Sequence, residues 1–191
     1  MARLEPLPRE ELAEFEAFFS KIESVMGFLP NSLLVMARWP ELLQGFSGLA
    51  NVMSTGKLPQ ELRMLVGFMA SNAAGCRYCQ AHTLHAAAAE GVSREKLQAL
   101  FEFESSALFS VSERAALRVA ARAAMVPNAV EDEDFDALHD NFTEEEIVEI
   151  VAHISLFGWL NRWNDTFATQ LEAVPSGLAE KILGERDGPE H

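Results

Sequence analysis

The sequence predicts an all-α fold. Apolar residues recur at three- and four-residue steps through most of its 191 residues, no stretch alternates with period two for long enough to make a strand, and cap and breaker residues part the apolar stretches at helical lengths. From Arg9 to Met26 the positions Leu12, Phe15, Phe18, Phe19, Ile22 and Met26 make one face of an amphipathic helix that Gly27 ends. Phe28 to Ser32 is a turn into a short apolar helix, Leu33 to Arg38. Pro40, at a first-turn position, opens another that runs to about Met53.

Ser54 to Lys57 is a loop, and Pro59 starts a helix whose residues from Gln60 to Asn72 are apolar almost all round, as a helix packed between others must be. A helix bearing both cysteines follows and closes at Gly91. Ser93 caps a short helix to Phe103, Ser112 caps one to about Met125, and Pro127-Asn128 breaks the chain. The acidic run Glu131 to Asp136 reads as the solvated start of another helix. Thr143 with Glu146 is a capping box opening the longest pattern, which reaches about Leu171. These elements suit a single domain: N-terminal helices over 1–57, a cysteine-bearing unit over 58–104, a second helical unit over 105–175 and a tail over 176–191.

With 49% hydrophobic residues the chain can bury a full core. Its net charge of −14 opposes nucleic acid and anionic membrane surfaces. No window has the length of a membrane span, and the N-terminus lacks the apolar core of a signal peptide. Two cysteines are too few for a disulfide scaffold, so the expected compartment is the cytoplasm. No glycine-rich phosphate loop is present, and no cofactor beyond the thiols is expected.

Shifting the chain by 85 residues lays Glu61 on Glu146, Val66 on Val151, Arg77 on Arg162 and Tyr78 on Trp163, and Cys76 and Cys79 on Asn161 and Asn164. Two readings are open: coincidence, or an internal helical repeat packed about a pseudo-twofold axis in which only the first copy holds thiols.

The chemistry centres on Gly75-Cys76-Arg77-Tyr78-Cys79-Gln80-Ala81-His82. At about 100° per residue, Cys76 and His82 each lie about 60° from Cys79, so the three share a helix face. The helix dipole favours a thiolate at Cys76, and a neighbouring imidazole can take a proton from Cys79. Cys76, Cys79, His82 and His85 also resemble zinc ligands. Spread along one helix they span about 13 Å, too far to surround one ion, and His85 falls about 120° from Cys79, so no metal is expected. The ordinary alternative is a pair of buried, inert thiols in a non-catalytic acidic helical oligomer or redox-sensing scaffold. His153, Phe157 and Asn161 share a face of the long helix and could line a pocket. Asn161, Asn164 and Asp165 read as structural ties, and the tryptophans as core or subunit interface.

Leu58-Pro59, Leu62-Arg63 and the Gly75 to Cys79 motif with His82 resemble the carboxymuconolactone decarboxylase superfamily, in its alkyl hydroperoxidase D-like, peroxidase-related branch. Gly27 to Asn31, Glu145 to Glu149 and Asn161 to Asp165 match longer members of that branch. The resemblance implies an all-helical subunit in a homo-oligomer, trimer or hexamer, that reduces organic hydroperoxides. It also implies that Cys79 attacks the peroxide and passes through a sulfenic acid, Cys76 gives a proton and resolves the disulfide, and His82 acts in the proton relay. An external dithiol or thioredoxin-like reductant would reset the pair. The family's relay glutamate falls at Met64 here, which leaves Glu61 or Glu149 as stand-ins, and its usual histidine falls at Thr83, departures that keep a disulfide reductase open beside the peroxidase. Decarboxylase members generally lack the cysteine pair, so that activity is not expected.

Overall fold

The computed structural model describes residues 2–184, and every regular element among them is a helix. Two 3-10 turns, Arg9–Glu11 and Ala13–Phe15, lead into α1 (Glu16–Met26), followed by α2 (Asn31–Met36) and α3 (Pro40–Ser54). Then come α4 (Gln60–Ala74), α5 (Arg77–Ala89) and α6 (Arg94–Gln98), which a 3-10 turn extends over Ala99–Glu102. The chain finishes with α7 (Val111–Ala123), α8 (Asp132–His139), α9 (Glu144–Phe167) and α10 (Ala173–Leu183).

Several boundaries differ from the sequence reading, each for a local reason. The helix expected from Arg9 starts as 3-10 turns because the backbone at Leu12 leaves helical geometry (φ −118, ψ 36) to bury its side chain in the N-terminal core. Ser110 caps α7 instead of Ser112: its extended backbone lets Oγ accept from the Glu113 N–H, and Glu113 answers to the Ser110 N–H. The long helix ends at Phe167, where Ala168 turns left-handed (φ +48) and the Thr169 N–H closes on the Asn164 carbonyl. The tail expected from 176 carries most of α10; residues 185–191 lie outside those described. The shift of 85 lays the start of α4 within a residue of the start of α9, but it does not carry the C-terminal end across, since the break at Gly75 would fall on Leu160, inside α9.

The apolar helix α4 is the centre of the main core, with Leu65, Val66, Phe68 and Ala70 wholly buried among α5, α7 and α9. A second core joins Phe19, Leu33, Met36 and Leu43 at the N-terminus, and Trp163 packs on it. Trp39, read as core or interface, is 62% exposed. No helix among the described residues is long and apolar enough to cross a membrane.

The seam between α4 and α9 is tight and partly polar. A Cβ on Gly67 would overlap the Phe157 ring, so only glycine lets the two helices approach there. At one end the Arg63 guanidinium, 7% exposed as a residue, donates to the carbonyls of Met53, Gly56 and Leu58. Glu149 lies 3.5 Å from Arg63 Nε and 4.0 Å from His153. Burial and then the Arg63 charge push His153 down to about 4, against the pull of Glu149, so its ring is neutral at pH 7.

The unfolded chain protonates His153 near pH 6.5 and the folded chain only near 4, so the unfolded state binds more protons between those values. Stability is therefore expected to fall by about 3 kcal/mol as pH drops through that window. Urea unfolding at pH 7 and pH 4 measures the loss, and His153→Phe should remove that part of the wild-type difference.

Candidate functional site

The cysteines sit where α4 hands over to α5. Gly75 ends α4 in the left-handed region (φ +80), a turn that suits glycine, and the next residue re-enters extended backbone. That residue, Cys76, is the N-cap of α5 (φ −78, ψ 101), with its N–H on the Ser71 carbonyl at 3.0 Å. Cys76 thus stands at the mouth of the helix instead of on its flank, while Cys79 occupies the first turn. Both thiols are free and buried, at 0% and 2% exposure, so bulk solvent reaches neither sulfur in this arrangement. With Tyr78 they form a small separate cluster against Phe157, Leu160 and Leu171.

The two sulfurs have different surroundings. The hydrogen bond to Cys79, then burial, then the charge of a Cys79 thiolate push the Cys76 thiol far up, so Cys76 keeps its proton. Asp165 reaches the same thiol and adds to the effect. Asn164 Nδ2–H donates to Cys79 Sγ at 3.4 Å, and the α5 N-terminus contributes the positive end of its dipole. Negative charge is therefore best accommodated on Cys79.

His82 lies one turn on from Cys79, and its Nε2 meets Glu172 Oε2 at 2.7 Å. Its ring stacks on Tyr78 at 4.2 Å between centroids and takes the edge of Phe28 at 5.1 Å. The Tyr78 hydroxyl donates to Glu172 Oε1 at 2.8 Å, and the Asn31 N–H donates to the same oxygen. Burial pushes Glu172 up, but His82 and these donors outweigh it and hold the carboxylate below its usual range.

Glu172 is the carboxylate that sequence reasoning missed. It is 90 residues from His82, on the stretch between α9 and α10 that the sequence assigned to the end of the preceding helix. A usable signal was Pro175, which sits in the first turn of α10 and points to a helix start close to Glu172. Of the expected stand-ins, Glu61 is held by Lys96 at 2.7 Å, and Lys96 is shared with Glu113. Glu149 accepts from the backbone N–H groups of Lys57 and Leu58, at 2.8 and 3.1 Å. Neither has a hydrogen bond or ion pair with His82 or a cysteine. Met64 packs on the main apolar core.

His85 points elsewhere, its Nε2–H donating to the Met26 carbonyl at 2.9 Å. Among the described residues no group of three or more His, Cys, Asp or Glu side chains is arranged to hold a metal ion. The arrangement can instead do two-thiol chemistry: an attacking sulfur, a protonated second sulfur one turn away, and an imidazole–carboxylate pair beside them.

The model of the carboxymuconolactone decarboxylase family matches residues 40–122, from the start of α3 into the last turn of α7. The apo structure of the debrominase Bmp8 is 38% identical, with a TM-score of 0.88 over 93% of this chain and 96% of that one. A Bmp8 variant with one cysteine changed to alanine, in complex with 2,3,4-tribromopyrrole, is 37% identical with a TM-score of 0.89 over the same shares. A peroxidase-related protein from Ralstonia eutropha JMP134, described as an alkylhydroperoxidase AhpD core, shares the fold at 22% identity, with a TM-score of 0.73 over 88% of each chain. No curated protein sequence matches significantly.

Proposed function

For a chain that belongs to the carboxymuconolactone decarboxylase family, we propose a thiol-dependent reductase that passes two electrons from Cys79 and Cys76 to a halogenated aromatic ring. The observation that carries this reading is the pair of free, buried thiols at the start of α5, with the Asn164 amide N–H on Cys79 Sγ, one turn from His82 and its partner Glu172. The likeness to Bmp8 over nearly the whole chain supports the substrate class.

The ring carbon that bears bromine takes a proton from the His82 side of the site. The Cys79 thiolate attacks bromine, forming S–Br as the C–Br electron pair returns to the ring and restores aromaticity. The Cys76 sulfur then attacks Cys79, expelling bromide, giving up its proton and closing the disulfide. The ring is reduced by two electrons and the thiol pair is oxidised by two. An external dithiol resets the pair.

A second reading rests on the fold shared with peroxidase-related proteins. There the Cys79 thiolate attacks an organic hydroperoxide, releasing the alcohol and leaving a sulfenic acid, and Cys76 condenses with it to expel water.

Reduced protein is mixed without oxygen with one equivalent of 2,3,4-tribromopyrrole or of an organic hydroperoxide. The expected result is one bromide released and both thiols lost per chain, with activity restored by dithiothreitol. Retention of both thiols and absence of bromide would sink the dehalogenase reading; hydroperoxide consumption alone would select the second.

A further inference from the structure

Asn161 is a buried residue of α9. It is only 2% exposed, yet neither Nδ2 nor Oδ1 has a hydrogen-bond partner among the described residues. A buried amide left unpaired on both sides is costly, and such groups call for a ligand or water.

Its place on α9 points it at the thiols. Phe157 and Leu160, just before it, pack on the cysteine cluster. Asn164 and Asp165, just after it, contact Cys79 and Cys76. At about 100° per residue, Asn161 lies about 60° from Asn164 and about 40° from Asp165, so it shares their face one turn earlier. The wall packed against the thiols is apolar, built from Phe157, Leu160 and Leu171.

We propose that Asn161 is the polar anchor of the substrate site, its Oδ1 accepting from the ring N–H of a halogenated five-membered heteroaromatic held against the thiols. This rests on the dehalogenase reading and narrows it to rings that carry a hydrogen-bond donor. An amide oxygen in an apolar wall discriminates by what it would leave unpaired: a ring without the N–H gives it nothing to accept.

The test compares 2,3,4-tribromopyrrole with its N-methyl analogue. The wild type is expected to prefer the N–H ring by about tenfold to a hundredfold in kcat/KM. Asn161→Leu, with the same branched heavy-atom skeleton, should bring that ratio near one by weakening only the N–H ring. A preference caused by the bulk of the methyl group would survive the substitution, and its survival would overturn the assignment, as would a wild type without preference. The ligand-free Asn161→Leu protein should also melt at or above the wild-type temperature, because an unpaired amide has been removed; a residue tied into the core would lower it.

Binding separates this inference from the reaction. Calorimetry on Cys79→Ser and on Cys79→Ser/Asn161→Leu should show at least about a tenfold loss of affinity for the N–H ring and none for the N-methyl ring. That difference without bromide release in the wild type would reject the reaction and keep the anchor. Equal affinities, or no binding of either ring, would reject the anchor, and Asn161→Ala serves the same comparisons if the leucine variant does not fold.

Discussion

Cys79→Ser is expected to end turnover, with a loss on the order of 10³-fold or more, while Cys76→Ser stops after one half-reaction. The difference follows from where the structure keeps the proton. Cys76 is pushed up by its bond to Cys79 and by burial, so it serves as the protonated partner. Cys79 has the Asn164 N–H at 3.4 Å and a first-turn position on α5 to support charge. Without Cys76 the S–Br species hydrolyses to a sulfenic acid, which a dimedone adduct at Cys79 reports by mass spectrometry. The peroxide reading leaves the same adduct, so the adduct tests the attacking sulfur whichever substrate is used. An adduct on Cys76 in the Cys79→Ser protein, with bromide released once, would reverse the two roles.

The helices were readable because their determinants are local. Periodicity, Pro40, Pro59 and the Thr143–Glu146 box act within one or two turns, and α3, α4 and α9 start within a residue or so of where these signals put them. The local face shared by Cys79 and His82 was readable for the same reason. Cys76 is the cap of that helix because the left-handed turn at Gly75 ends α4 just before it. What could not be read was contact across the fold. Asn164, read as a structural tie, lies against Cys79 from 85 residues away, and Glu172 reaches His82 only because α9 stops at Ala168. Position along the chain alone points to Glu61 and Glu149. Each instead serves another need, Glu61 balancing Lys96 and Glu149 holding the amides of Lys57 and Leu58 just before α4.

Glu172→Gln should lower kcat by about 100-fold and leave KM nearly unchanged, since proton transfer by a positioned group contributes about 10²- to 10⁴-fold and Glu172 is placed to hold His82, not the substrate. The substitution keeps an acceptor for His82 and Tyr78 but removes the charge that balances an imidazolium. Glu172→Asp retains the charge on a shorter stem and should recover part of the rate. Tyr78→Phe removes only one donor to the same carboxylate and should cost less than either. Because Glu172 is held below the usual carboxylate range, its contribution to stability is complete above about pH 4.3 and is lost as pH falls through the lower folded value. Urea unfolding should therefore show Glu172→Gln destabilised at neutral pH and less acid-sensitive than the wild type in that range. A variant that loses this stability while keeping its full kcat would place Glu172 in the scaffold alone and leave His82 without a carboxylate in the chemistry.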